Sequence, residues 1–156
     1  ECAYLAHKSK GWIESDPKAF KEWFQNCVNE NGQVIRHMVK FLKAWKVKKG
    51  VDIPGMAITI LVCNNYSLTD NREDVSLIDT VTNILDCLDT KFECYKPVTP
   101  TDEDLFAGYG ATKKENVINS LKTLKSRLNK AIYEEKNEKK NQTMLYSSNN
   151  CCNGGR

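Results

Sequence analysis

An all-α domain of about five helices is the fold class this sequence predicts, and three observations carry the prediction. Apolar residues recur at helical spacing in five successive segments, prolines and glycines fall between those segments, and a period-two pattern is nearly absent. With 156 residues, 40% hydrophobic and 28% charged, the chain has the composition of one folded domain that can bury a core without disulfides or a structural metal. The reading places a helical domain over residues 1–135 and a flexible, charged, Asn-rich tail over 136–156.

The first helix begins at Ser15-Asp16-Pro17, a capping carboxylate followed by proline at the first helical position, and ends at Asn31-Gly32. Phe20, Trp23, Phe24, Cys27 and Val28 form its apolar stripe. A second helix runs from about Gln33 to Lys48, with Ile35, Met38, Val39, Leu42 and Trp45 inward and a basic opposite side; Gly50 breaks it. Pro54 starts the third, whose stretch Met56 to Cys63 is almost wholly apolar. Its β-branched residues also suit a buried strand, but its helical neighbours favour a central helix. Asp70 to Asp89 reads as the fourth helix, with Val75, Ile78, Val81, Leu85 and Leu88 aligned and acids in the first turn. Residues 91–110 read as a Pro/Gly-punctuated loop with a short helix at Thr101 to Phe106. The fifth helix opens with Thr112 and Glu115 as a capping box and carries Val117, Ile118, Leu121, Leu124, Leu128, Ala131 and Ile132.

A net charge of +3, from 23 basic and 20 acidic residues, excludes bulk attraction to nucleic acid and leaves only local patches. Seven cysteines at irregular positions form no disulfide framework or zinc spacing, and Cys27, Cys63 and Cys87 fall in apolar periodic segments, where free thiols act as small buried hydrophobes. With no secretory signal or membrane-spanning run in the sequence, a reducing cytoplasm is the expected location, with no membrane partner. His7 and His37 have no partners at ligand or catalytic spacing.

On the second helix, Arg36, Lys40 and Lys43 fall within an arc of about 60°, beside the apolar stripe. Such a cluster can donate charge-assisted hydrogen bonds to a triphosphate, and a solvated basic face would show the same pattern. Around Pro54, Gly55 and Met56 a helix N-terminus offers free N–H groups to an anion, or is simply the start of a core helix. Tyr66 is a candidate base-stacking platform or a packing residue at the helix end.

Gly11-Trp12, Ser15-Asp16-Pro17, Trp23-Phe24, Arg36, the run Lys40-Phe41-Leu42-Lys43-Ala44-Trp45, Pro54, Pro97, Pro100 and Asp104-Leu105 stand in an order that resembles the C-terminal helical domain of bacterial CD-NTases, over about residues 3–132. The resemblance implies the nucleotide-lid half of a cyclic oligonucleotide synthase, similar in fold to oligoadenylate synthetase and cyclic GMP-AMP synthase. In such a parent, ATP and GTP are substrates for a cyclic di- or trinucleotide that triggers antiphage CBASS effectors. Magnesium is held there by carboxylates of an N-terminal catalytic half, whose Gly-Ser motif belongs upstream of residue 1. This chain alone is therefore expected to be inactive, with no catalytic or metal-binding residue of its own. Lys40 matches the family's phosphate-binding lysine, joined by Arg36, Lys43, Gly55, Met56 and Tyr66 as nucleotide-contacting candidates. Gly55 replaces a serine frequent in relatives. Expected partners are nucleoside triphosphates, the catalytic half and CBASS accessory proteins, with no specific nucleic acid. The competing function is a stand-alone, non-catalytic helical module that binds a nucleotide or a protein.

Overall fold

The computed structural model describes residues 4–7, 11–14, 16–68, 72–99 and 103–151, with side chains over 16–68, 72–99 and 103–142. Five helices make up the body: α1 (Pro17–Asn31), α2 (Val34–Lys49), α3 (Gly55–Asn65), α4 (Glu73–Thr90) and α5 (Ala111–Cys151). Ahead of them lies an antiparallel hairpin of β1 (Tyr4–His7) and β2 (Gly11–Glu14), with Tyr4 opposite Glu14 and His7 opposite Gly11. The all-α expectation describes the body; the hairpin is an addition. Four-residue strands hold too few alternations to register as a pattern.

Helix α1 starts as its sequence dictates. The Asp16 carboxylate accepts the Ala19 N–H at 2.8 Å, and Pro17 occupies the first position, where its missing N–H costs nothing. Gly32, at φ 87, and Gly50, at φ 65, end α1 and α2 at positive φ, which a residue without Cβ enters freely.

The core is organised around α3. Residues Ala57 to Val62 are all buried, so the middle of this helix has no solvent face and lies against α1, α2 and α4. Its one polar member in that run, Thr59, returns its hydroxyl hydrogen to the Gly55 carbonyl at 3.1 Å. Helix α2 contributes Ile35, Met38, Val39 and Leu42, and each such side chain gains roughly 1.5–3 kcal/mol on burial. Helix α5 lies along α4 and buries Val117, Leu121 and Leu124.

Several expectations are corrected. The buried face of α4 runs through Ser76, Thr80, Val81, Ile84, Leu85 and Leu88, while Val75 and Ile78 are half-buried. Thr80 can take a core position because its hydroxyl bonds the Ser76 carbonyl at 2.7 Å. Cys87 is exposed, since it sits off that stripe; Cys27 and Cys94 are buried and Cys63 half-buried, all as free thiols. Helix α5 begins at Ala111, with the Lys114 N–H bonded to the Gly110 carbonyl, so Thr112 lies inside the first turn and no capping box forms. In place of a helix before Phe106, the chain makes a bridge between Tyr95 and Asp104 and then a turn. The Asp104 carboxylate accepts the N–H groups of both Cys94 and Phe106, a pairing that fixes the loop without helical hydrogen bonds. Helix α5 extends through Cys151, so its described course includes residues from 136 onward. Ser15, Asp70, Thr101, Asp102 and Cys2 lie outside the described residues.

Candidate functional site

The α2 flank and the start of α3 meet, and the contact is made by Lys43. A Cβ placed on Gly55 would stand 3.7 Å from the Lys43 Cε, so the lysine stem lies over the first turn of α3. No side chain caps that turn and no acidic residue sits in it, which leaves the helix N-terminus open to an external anion. Partial burial first, and then the charge of Lys46, pull the Lys43 ammonium below its ordinary pKa. An approaching anion relieves both effects, since it restores a counter-charge where water has been thinned.

Lys40 lies on the same flank, exposed, and among the described residues it has no hydrogen-bond or ion-pair partner. Arg36 is otherwise occupied. Its guanidinium stands 5.3 Å from the Phe24 ring centroid and donates to the Gln25 side chain, so it braces α2 against α1. Met56, 37% exposed, borders the opening at the α3 start.

Tyr66 stands at the other end of α3, about 16 Å along the axis from Gly55. Its ring packs against the core and its hydroxyl is buried without a partner. Burial, followed by the nearby Glu73 charge, raises its pKa. Of the six candidates, Lys43 and Gly55 therefore meet, Met56 follows Gly55 in the same turn, Lys40 lies one turn before Lys43 on the same α2 flank, Arg36 is engaged by α1, and Tyr66 is remote.

The sequence reading missed Lys46, one turn past Lys43, whose ammonium donates to the Ile53 carbonyl and holds the α2–α3 connection in place. Its i, i+3 spacing from Lys43 was the available signal.

Acidic side chains do not assemble into a metal centre: among the described residues no three His, Cys, Asp or Glu side chains come together. Asp86 is a solvated position on α4, Asp89 pairs with Lys122 at 3.6 Å, and Asp104 is used by the loop. The described residues thus do not fit a magnesium site, and no step through the ion is derived from them. His37 pairs with Glu73 at 3.1 Å on the surface. No described helix is long and apolar enough to cross a membrane.

Comparison with known proteins adds relatives. No family model matches. A cyclic GMP-AMP synthase of Escherichia albertii is 30% identical over 112 residues, covering 63% of this chain and 25% of the relative. That of Vibrio cholerae is 28% identical over 67 residues, covering 43% of this chain and 15% of the relative. The chain thus spans about a quarter or less of these curated relatives. In structure it is similar to the Vibrio cholerae di-nucleotide cyclase DncV solved with ATP and GTP, with a TM-score of 0.66 and 18% identity over 81% of this chain and 34% of that one. A second DncV structure, with the linear intermediate pppA(3',5')pG, gives a TM-score of 0.63 and 22% identity over 83% of this chain and 35% of that one. In sequence the chain is thus similar to part of the cyclic GMP-AMP synthases, and in fold to part of DncV.

Proposed function

We propose that this chain is the nucleotide-lid part of a cyclic oligonucleotide synthase, and that Lys40 and Lys43 together with the open N-terminus of α3 hold the triphosphate of a bound ATP or GTP. The observation that carries the reading is the placement of Lys43 over an uncapped, acid-free helix start, with Lys40, which has no ion-pair partner among the described residues, on the same flank. A triphosphate lying there takes N–H groups from the α3 first turn and two ammonium groups from α2, all on rigid helices that need no ordering on binding. Gly55 leaves room for an oxygen to approach the backbone where a side chain would intrude. Arg36, through Phe24 and Gln25, orients α2 and does not itself reach the phosphates. Met56 contributes apolar edge to the opening, and Tyr66 supports the far end of α3. The relatives that carry the cyclic GMP-AMP synthase name, and the DncV complexes with nucleotides, support the assignment of a nucleotide as the ligand.

On this reading the chemistry resides in carboxylates and magnesium outside the described residues, while the lid binds and orients. The product serves antiphage signalling with CBASS partners, in a soluble cytoplasmic setting.

The test uses inorganic tripolyphosphate titrated into the chain, followed by amide chemical shifts. Shifts are expected at Gly55, Met56 and Ala57, with affinity falling about 10-fold or more in Lys40→Ala and unchanged in Lys48→Ala. Equal losses in the two variants, or no response at Gly55 to Ala57, would leave only a solvated basic face.

A further inference from the structure

A second cationic feature lies on another side of α2. Lys49 stands about 180° around the helix from Lys40, and Trp45 about 140°. Trp45, Lys49, Ser120, Thr123, Leu124 and Arg127 line a cleft of about 300 Å³ between the end of α2 and α5. It shares Lys49, Ser120 and Thr123 with an adjoining cleft of about 390 Å³ that continues past Asn119 and Asn116 to Lys113 and Asp52. The two make one groove along α5 from Lys113 to Arg127, a run of about 21 Å at 1.5 Å per residue. It is open to solvent, since Lys49, Asn116, Asn119, Thr123 and Arg127 are all exposed.

We propose that this groove binds an extended, acidic peptide segment of a partner protein, about six residues long and carrying one aromatic or aliphatic side chain. Three features select that occupant. The groove's one carboxylate, Asp52, is neutralised by Lys113 at 2.9 Å, whereas Lys49 and Arg127 have no carboxylate partner among the described residues, so the groove carries an unbalanced charge that suits Asp or Glu side chains. Between the cations lie the amides of Asn116 and Asn119 and the hydroxyls of Ser120 and Thr123. Those hydroxyls give their hydrogens to the Asn116 and Asn119 carbonyls, leaving their oxygens to accept peptide N–H groups. Trp45 and Leu124 supply apolar surface at the Arg127 end for one anchoring side chain. An extended peptide rises about 3.3 Å per residue, so about six residues span the groove. A nucleic-acid strand matches less well, because Lys49 and Arg127 are the only lining cations without a carboxylate partner among the described residues, too few for successive phosphates along about 21 Å.

The test selects random peptides of about 12 residues, displayed on phage, against the whole chain. Peptides with two or more acids flanking a Trp, Phe or Leu are expected to enrich. The best of them, made with a fluorescein label, should bind at least 10-fold more weakly to Lys49→Glu and to Arg127→Glu, and equally well to Lys48→Glu, an equal charge change one residue outside the groove. Circular dichroism of each variant confirms that these exposed substitutions leave the helices intact. Enrichment of peptides without net negative charge, or equal weakening by Lys48→Glu, overturns the proposal. So does tighter binding of single-stranded DNA of about 20 nucleotides with the same dependence on Lys49 and Arg127.

Discussion

Lys43 shows how one side chain can be tuned by burial and by a single neighbouring charge. Partial burial and the Lys46 ammonium both disfavour its protonated form, so its pKa lies below that of an ordinary lysine. If it holds phosphate, affinity for tripolyphosphate should decline as pH rises and should do so before the ordinary lysine range is reached, because the lowered Lys43 ammonium is lost first. The decline should begin at lower pH in the wild type than in Lys43→Ala, which lacks the lysine whose pKa is lowered; identical pH profiles in a binding titration would count against a Lys43 contact. Gly55 offers the converse experiment. A new Cβ there meets Lys43 at an ordinary contact distance and no positive φ stands in the way, so Gly55→Ser should be accepted. Thermal unfolding is expected to show a gain of about 0.4–1 kcal/mol from the reduced freedom of the unfolded chain. A serine there also places a hydroxyl beside Lys43.

Between elements, two small polar devices do what apolar packing does elsewhere. Arg72, at the start of α4, joins Asp74 in its own first turn to Glu135 on α5 at 2.9 Å. The Arg72 guanidinium is the main cause holding the Asp74 carboxyl below its usual range, while Glu135 is lowered first by Lys139 and then by Arg72. Carboxylates depressed in the folded state stabilise it above their unfolded pKa of about 4, and that stabilisation is lost as pH falls through the folded value. The melting temperatures of the wild type and Arg72→Ala should therefore differ at pH 6 and converge towards pH 3. A gap that persists in acid would mean that Arg72 acts through its packing. In the loop before α5, Asp104→Ala strips an acceptor from two backbone N–H groups, those of Cys94 and Phe106. A destabilisation of about 1.5–3 kcal/mol is expected in a denaturant titration. The aromatic cluster of Phe92, Phe106 and Tyr109 beneath the loop, with ring centroids 4.7 to 6.2 Å apart, keeps the loss local.

For the molecule as a whole, the buried thiols report on the integrity of the core. Cys94 is pushed up to about 12 by burial, and burial together with the neighbouring Cys27 raises Cys63 as well. Neither offers much thiolate at pH 8, whereas Cys87 is exposed on α4. A thiol reagent followed by peptide mapping should label Cys87 quickly, and Cys27, Cys63 and Cys94 only at the rate at which the helices open. Rapid labelling of all four would mean that the core is loose. The proposed division of labour has its own check. With nucleoside triphosphates and magnesium the chain should form no oligonucleotide, because the described residues bring together no carboxylate set able to hold two ions. Product that vanishes on mutation of residues within this chain would place catalysis here.

The sequence by itself determined four of the five helices, because each carries its own period of apolar residues, a signal that needs nothing from elsewhere in the chain; the wholly apolar α3 was read as a helix from its neighbours. Asp16-Pro17 and Gly32 bracket α1, Gly50 ends α2, and the wholly apolar run after Met56 marks α3 as the centre of the core. The basic flank of α2 was equally legible, since Arg36, Lys40 and Lys43 share an arc of one helix. Which of those cations remains available was decided only by tertiary structure. Arg36 is drawn to Phe24 and Gln25 on α1, and Lys43 is drawn over Gly55. The hairpin depends on pairing between strands too short to show a pattern alone, and the Cys94–Asp104–Phe106 clamp joins residues that no periodicity connects. The groove at Trp45 and Arg127 likewise exists only because α5 lies beside the end of α2. Local periodicity fixes how each helix turns its faces; what meets those faces is set by contacts between residues distant in the chain.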